Sequence, residues 1–77
     1  MAEDLNIFKI KLGKRIKTLR EQKGYTQLEL GALIGKDFQA ISRIELGRVN
    51  PSAYIVHQIA RALRVSMNEI YDFSEID

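Results

Sequence analysis

The chain has no cysteine, a single histidine and a single proline among its 77 residues. Without cysteine it can form neither a disulfide nor a thiolate metal site, as is typical of a protein in a reducing cytoplasm. The histidine, His57, has no acidic residue at ligand spacing, so no metal site is expected there. The sequence also lacks a phosphate-binding glycine loop, a serine–histidine pair and paired carboxylates in an apolar setting. Neither a catalytic site nor a cofactor is therefore expected, which argues against an enzyme.

Long apolar runs are absent as well. No segment approaches the roughly 20 residues that cross a bilayer, and the acidic start, Met1-Ala2-Glu3-Asp4, is unlike a signal peptide. A hydrophobic share of 45% indicates a folded chain. We therefore expect one cytoplasmic domain over residues 1–77, with no membrane contact, a core in 5–71 and an acidic tail in 72–77.

Charge is distributed unevenly along a chain whose formal net charge is only +2. The tail from Glu69 carries four acidic residues and no cation, whereas one stretch near the N-terminus is strongly basic. This polarity suits a protein with one face against phosphates, and the alternative is an ordinary solvated lysine face. The basic residues are Lys9, Lys11, Lys14, Arg15, Lys17, Arg20 and Lys23.

Capping residues and apolar spacing predict five helices. A first helix begins after Asp4 and ends at Lys23, and others cover residues 27–34, 38–46 and 53–63, followed by a short one after Ser66. There is no hairpin signal and no repeat, so the predicted fold is all-α, a compact five-helix bundle. The apolar residues expected to be buried include Leu5, Phe8, Leu12, Ile16, Leu19, Leu28, Leu30, Leu33 and Ile34.

The second and third predicted helices are joined by a very short turn. Thr26 with Glu29 forms a capping box, Asp37 can cap the next helix, and only Gly35 and Lys36 remain between the two helices. Two helices held at a steep angle by such a turn are typical of a helix-turn-helix. Gly31 lies inside the first of them, where we expect a side chain to collide with the next helix.

The segment from Thr26 to Gly47, with the chain around it, resembles the lambda-repressor/Cro-like, or xenobiotic-response-element, helix-turn-helix family. The resemblance covers roughly residues 9–71. The chain departs from the family pattern at Gly31, where alanine is usual, and at Phe38, where polar residues are common. It implies a DNA-binding domain, usually dimeric on a near-palindromic operator. The matching elements are Arg15-Ile16, Leu19-Arg20, Gly24, Thr26-Gln27, Leu30, Gly35, Ile41-Ser42, Glu45, Gly47, Pro51, Ile59-Ala60, Ala62-Leu63 and Val65-Ser66.

The candidate base contacts lie on residues 38–46, the predicted recognition helix. Gln39 and Arg43 are four residues apart and share a face, and glutamine suits adenine as arginine suits guanine. The alternative for both is an ordinary wet helix surface. Phe38 either packs against a thymine methyl group or folds back as a staple at the helix start.

Phosphate contacts are expected around that helix. The resemblance implies that Gln27 donates to a phosphate, although it could be a solvated first-turn residue, and that Ser42 reaches phosphate unless its hydroxyl bonds back to a helical carbonyl. Lys36, Arg48 and Asn50 flank the helix and are candidate backbone contacts, which position a protein without reading sequence.

The resemblance also implies a structural ion pair between Arg20 and Glu45, which makes Glu45 part of the scaffold. A homodimer surface is expected on the fifth helix and its approach. Its candidate residues are Val65, Met67, Ile70 and Tyr71.

The sequence as a whole predicts a bacterial or phage-type transcriptional regulator, a repressor or autoregulatory controller, that binds double-stranded DNA through the major groove as a homodimer. The rival interpretation is a protein-interaction module, such as an antitoxin or adaptor, whose main partner is a toxin or another regulator.

Overall fold

The computed structural model describes residues 4–76, which contain five α-helices and no strand. This arrangement confirms the predicted all-α class. The first three helices each end one residue before the predicted end. Residues 1–3 and Asp77, which the sequence assigned to the domain and its acidic tail, lie outside the described residues. The helices are α1 (Leu5–Gln22), α2 (Gln27–Leu33), α3 (Phe38–Glu45), α4 (Ala53–Leu63) and α5 (Met67–Ile70).

Each helix begins at a side chain that accepts hydrogen bonds from its first turn. Asp4 accepts from the amides of Asn6 and Ile7 at the start of α1. Capping boxes open α2 at Thr26 and α5 at Ser66. Asp37 and Ser52 cap α3 and α4 in the same way. These bonds satisfy amide groups that have no partner within the helix, which fixes where each helix begins.

A single apolar core joins all five helices. Every helix contributes to it, from a single residue in α2 and in α5 to a broad apolar face of α4. Within residues 4–76 no helix is both long and apolar enough to cross a membrane. The core residues are Leu12, Ile16, Leu19, Leu30, Ile34, Ile41, Ile44, Val56, Ile59, Ala60, Leu63 and Ile70.

Three leucines that the sequence assigned to the core are exposed instead. Leu5 lies in the first turn of α1, beyond the buried part of that helix, which begins at Leu12. Leu28 and Leu33 are 64% and 55% exposed. With 3.6 residues per turn, the seven-residue α2 directs only one side inward, and these two leucines fall on its flanks. The prediction of their burial is therefore wrong.

The backbones of α1 and α3 approach each other closely at Gly13, a buried glycine inside α1. A Cβ atom there would press on the backbone carbonyl oxygens of Ile44 and Glu45, the second at 2.6 Å. Glycine in a helix costs on the order of 1 kcal/mol relative to alanine. Its presence here is explained by the contact, since only glycine lets the two backbones come this close.

Gly31 has a related role in α2, with a correction to the prediction. An added Cβ atom would lie 2.6 Å from the carbonyl oxygen of Lys36 and 3.1 Å from that of Asp37. The obstacle is therefore the backbone of the turn that precedes α3, and not α3 itself. This turn folds back because the amide of Lys36 donates to the carbonyl oxygen of Gly31 at 2.8 Å.

Candidate nucleic-acid interface

The turn between α2 and α3 sets the geometry of the candidate site. Gly35 has a φ of 72°, in the left-handed region that glycine enters without steric cost. The chain then reverses within three residues, and Asp37 accepts from the amide of Ala40 at 2.8 Å to start α3. The two helices are thereby held as one unit, with α3 presented on the surface.

The two sides of α3 differ sharply in burial. Ile41, Ile44 and Glu45 are buried, which anchors the helix to the core. On the opposite side Gln39 and Arg43 are exposed, and Phe38 is 48% exposed. This side lies along a shallow groove whose lining comes from α3 and the residues just after it. The lining residues are Phe38, Gln39, Ser42, Arg43, Leu46 and Arg48.

A second shallow groove runs beside the first and shares Arg43 with it. Its apolar floor includes Val49 and Pro51 from the loop after α3, and Lys36 adds a second cation to Arg43. The structure thus brings two of the predicted phosphate-binding cations, Lys36 and Arg48, to either side of the exposed face of α3. Asn50 is exposed in the same loop but lines neither groove.

A buried ion pair lies behind this face. The Nε atom of Arg20 donates to Glu45 Oε2 at 2.7 Å, and its Nη2 atom donates to Oε1 at 3.0 Å. The Nη1 atom donates to the carbonyl oxygen of Tyr25 at 2.7 Å. The hydrogen bonding to Glu45, together with the negative charges of Glu45 and Glu21, raises the pKa of Arg20 above its ordinary value, although burial acts in the opposite direction. Arg20 therefore ties α1 both to α3 and to the segment that leads into α2.

Gln27 completes this network in a way that the sequence did not predict. Its Nε2 atom donates to Glu45 Oε1 at 2.9 Å, so one carboxylate binds residues from α1 and α2. An ionised carboxylate can only accept, so the amide nitrogen of Gln27 must face it. That nitrogen carries two hydrogens. One N–H group bonds to Glu45, and the second is available to an acceptor outside the protein.

Part of the basic first helix is used within the fold. Arg20 is buried and paired with Glu45. Arg15 donates from Nε to the carbonyl oxygen of Glu69 at 2.8 Å. That bond joins α1 to the last residues of α5. Lys14 and Lys17 are exposed on α1. The predicted basic face therefore contains fewer solvent-facing charges than the sequence indicates.

The comparisons with known proteins agree with this geometry. A family model described as helix-turn-helix matches residues 16–70, which contain α2, the turn and α3. The chain belongs to the helix-turn-helix family. This confirms the resemblance noted in the sequence, and the family's DNA-binding unit corresponds to α2 and α3.

Relatives of this helix-turn-helix protein occur in bacteria. An HTH-type transcriptional regulator of Sinorhizobium fredii, y4dJ, is 39% identical over 59 residues, 77% of each chain. The HTH-type transcriptional regulator YazB of Bacillus subtilis is 36% identical over 58 residues, 75% of this chain and 84% of YazB. The crystal structure of the restriction-modification controller protein C.AhdI from Aeromonas hydrophila superposes with a TM-score of 0.84. It is 31% identical and covers 88% of this chain and 99% of C.AhdI.

The residues predicted to form a dimer surface do not all reach the surface of this helix-turn-helix domain. Ile70 is fully buried in the core, so its assignment to a dimer surface is wrong. Its side chain, at the end of the short α5, packs in the core with residues of the other helices. Val65 and Met67 are half-buried against the core, and Tyr71 remains 40% exposed.

The ring of Tyr71 belongs to an aromatic cluster that joins the two ends of the chain. It stacks on Phe8 of α1 with centroids 6.2 Å apart, and Phe73 meets both rings edge-on. Such pairs add about 0.5–1.5 kcal/mol each beyond the burial of their area. The cluster packs the segment after α5 against α1.

Proposed function

We propose that this protein is a sequence-specific DNA-binding transcriptional regulator that inserts α3 into the major groove of an operator. The observation that carries the proposal is the division of α3 into an anchored side and an exposed polar side. A helix that is fixed from behind can present Gln39 and Arg43 to base edges without having to order its backbone at the moment of binding. The relatives named as transcriptional regulators support the same role.

The proposed base contacts follow from the chemistry of the exposed side. Gln39 can accept from and donate to adenine at N6 and N7, and Arg43 can donate twice to guanine at O6 and N7. The two residues are one helical turn apart, which suits neighbouring base pairs. Phe38, at the start of α3, is the third proposed base contact.

The proposed phosphate contacts surround these residues. Lys36 and Arg48 supply positive charge beside α3, and the Ser42 and Asn50 side chains can donate to phosphate oxygens. Gln27 is proposed to use its second amide N–H group for the same purpose, since the first is held by Glu45. Such contacts set the register of the protein on the duplex and make its affinity depend on salt.

The test compares two arginine variants on a duplex that the wild type enriches from a random pool. Arg43→Ala is expected to weaken operator binding by roughly 5- to 140-fold, the equivalent of the about 1–3 kcal/mol carried by a bidentate base contact. Arg61→Ala removes the same charge from the exposed side of α4 and serves as the matched control. Fluorescence anisotropy against operator and scrambled duplex reports both affinities.

Two results would count against the proposal. Equal losses for the two variants would mean that charge alone, and not a base contact, accounts for the effect of Arg43. A wild type with no preference for any duplex at low micromolar concentration would reject the DNA-reading role altogether. The interpretation as a protein-interaction module, with a toxin or another regulator as its partner, would then be favoured.

We further propose that the protein acts as a homodimer through the surface of Val65, Met67 and the exposed edge of Tyr71. Two copies would place two α3 helices about 34 Å apart, one turn of duplex, on a near-palindromic operator. Sedimentation equilibrium is expected to show a dimer, and deletion of one half-site is expected to reduce affinity steeply. A monomer at all concentrations, with unchanged affinity for a half-site, would refute this arrangement.

A further inference from the structure

The side chain of Phe38 is an exposed phenyl ring at the first residue of the proposed reading helix. It is 48% exposed and is absent from the hydrophobic core. The ring-to-ring contacts within residues 4–76 involve only Phe8, Tyr71 and Phe73. About half of the Phe38 side chain is therefore accessible to a ligand from outside the protein. Instead the ring borders the shallow groove along α3.

The exposed side of α3 is chemically divided into two rows. Gln39 and Arg43 form a polar row, while Phe38, Ser42 and Leu46 follow one another at intervals of four residues in a second row. This second row begins and ends with apolar side chains, 48% and 58% exposed. The polar row matches the hydrogen-bonding edges of purines. The exposed ring of Phe38 in the second row calls for an apolar group in the same groove.

The major groove offers one such group. Among the base edges, only thymine carries an apolar substituent there, the methyl group at C5, and other side chains are known to pack against it. The residues at the start of a recognition helix are the ones that come nearest to base edges. Phe38 is the first residue of α3 and is therefore well placed to cover such a methyl group.

We propose that Phe38 binds the C5-methyl group of a pyrimidine in each operator half-site. The inference rests on the proposed function of α3 as the reading helix. A phenyl ring cannot donate or accept a conventional hydrogen bond, so it recognises the methyl group and not the rest of the base. The same contact is available from thymine and from 5-methylcytosine. Binding at this position therefore responds to cytosine methylation.

The experiment uses duplexes that differ by one methyl group. At each thymine of the selected half-site in turn, thymine is replaced by uracil opposite the same adenine. At the position that responds, a cytosine–guanine pair is compared with a 5-methylcytosine–guanine pair. Burial of one methyl group favours binding by about fourfold. We expect uracil to weaken binding by about fourfold and cytosine methylation to strengthen it by about fourfold.

Three variants assign the effect to its side chain. Phe38→Ala is expected to abolish both methyl effects while keeping a preference for the operator. Phe38→Leu, which retains an apolar surface, should keep part of them. Tyr54→Ala removes an exposed aromatic ring of α4, 66% exposed, and should leave both effects unchanged. Circular dichroism of each variant confirms that it is folded.

The outcomes separate this inference from the proposed function. A wild type that prefers its operator but binds thymine and uracil equally at every position would overturn the inference alone. So would methyl effects that persist undiminished in Phe38→Ala, or a thymine effect without any response to 5-methylcytosine. A wild type that enriches no sequence would overturn the proposed function, and with it the inference.

Discussion

The substitution Glu45→Ala removes the acceptor at the centre of the buried network. In the native protein this carboxylate accepts from Arg20 at 2.7 and 3.0 Å and from Gln27 at 2.9 Å. Arg20 is only 8% exposed. After the substitution its guanidinium group keeps the bond to the Tyr25 carbonyl oxygen and loses its counter-ion. A buried charge is then left without compensation, and this uncompensated charge is what makes the loss of one partner of a buried ion pair strongly destabilising.

The expected loss of stability is about 3–5 kcal/mol, the range for removing one partner of a buried pair. For a domain of 60–100 residues each 1 kcal/mol lowers Tm by roughly 4–8 °C, so Tm should fall by roughly 12–40 °C. Thermal unfolding followed by far-ultraviolet circular dichroism measures this shift. Glu21→Ala, the same change at an exposed position of α1, should alter Tm by only a few degrees.

A second variant tests the physical cause. If the stranded charge dominates the loss, Arg20→Met combined with Glu45→Leu should recover much of it, because no buried charge remains. At a temperature where Glu45→Ala is folded, the ratio of its affinities for operator and scrambled duplex should equal that of the wild type. An unchanged Tm for Glu45→Ala would refute the assignment of Glu45 to the scaffold.

Two further predictions concern α1 and α2. Gly13→Ala should destabilise the protein by about 1–3 kcal/mol, the cost of overpacking. The added Cβ would press on the carbonyl oxygens of Ile44 and Glu45, and this outweighs the better helix propensity of alanine. Urea unfolding measures this, and a more stable variant would show that α1 and α3 can separate at no cost. Hydrogen bonds from the backbone and side chain of Thr26 lower the pKa of Glu29 below its ordinary value of 4.5. The charged form of Glu29 therefore stabilises the fold above about pH 4.5. This contribution is lost as the pH falls through the lowered pKa. Glu29→Gln should therefore be less stable than the wild type at neutral pH and approach it in acid, whereas parallel stability curves against pH would contradict the assignment.

The helix boundaries were predictable from sequence because their signals are local. The side chains of Thr26 and Asp37 reach an amide three residues away, so the cap and its target are read from the same short segment. The turn at Gly35 is predicted on the same basis, since glycine enters the left-handed conformation of such a turn without steric cost. These signals together led to the helix-turn-helix and to the two sides of α3.

The contacts that the sequence did not predict join distant residues. Gln27 and Glu45 are 18 positions apart, and Arg15 and Glu69 are 54 apart. No local pattern specifies such pairs, because they form only when the core has fixed the helices. Gly13 did carry a signal, since a glycine inside an 18-residue helix lowers its stability unless a neighbouring backbone is close.

The wrong prediction that two leucines of α2 are buried has a different physical reason. Leu28 and Leu33 have the hydrophobicity of core residues, but a helix of only seven residues buries Leu30 and Gly31 and turns its flanks outward. Apolar composition indicates that a helix packs on a core. Which of its residues reach that core depends on the angle at which the neighbouring helices meet it.

Selection of duplexes from a random pool by the full chain shows whether α3 reads DNA. We expect one enriched sequence with two related half-sites whose centres lie about 34 Å, or one turn of duplex, apart. We also expect Arg43→Ala to lose this enrichment and Arg61→Ala to keep it. A pool that remains random after selection with the folded wild type would contradict the claim that α3 reads DNA.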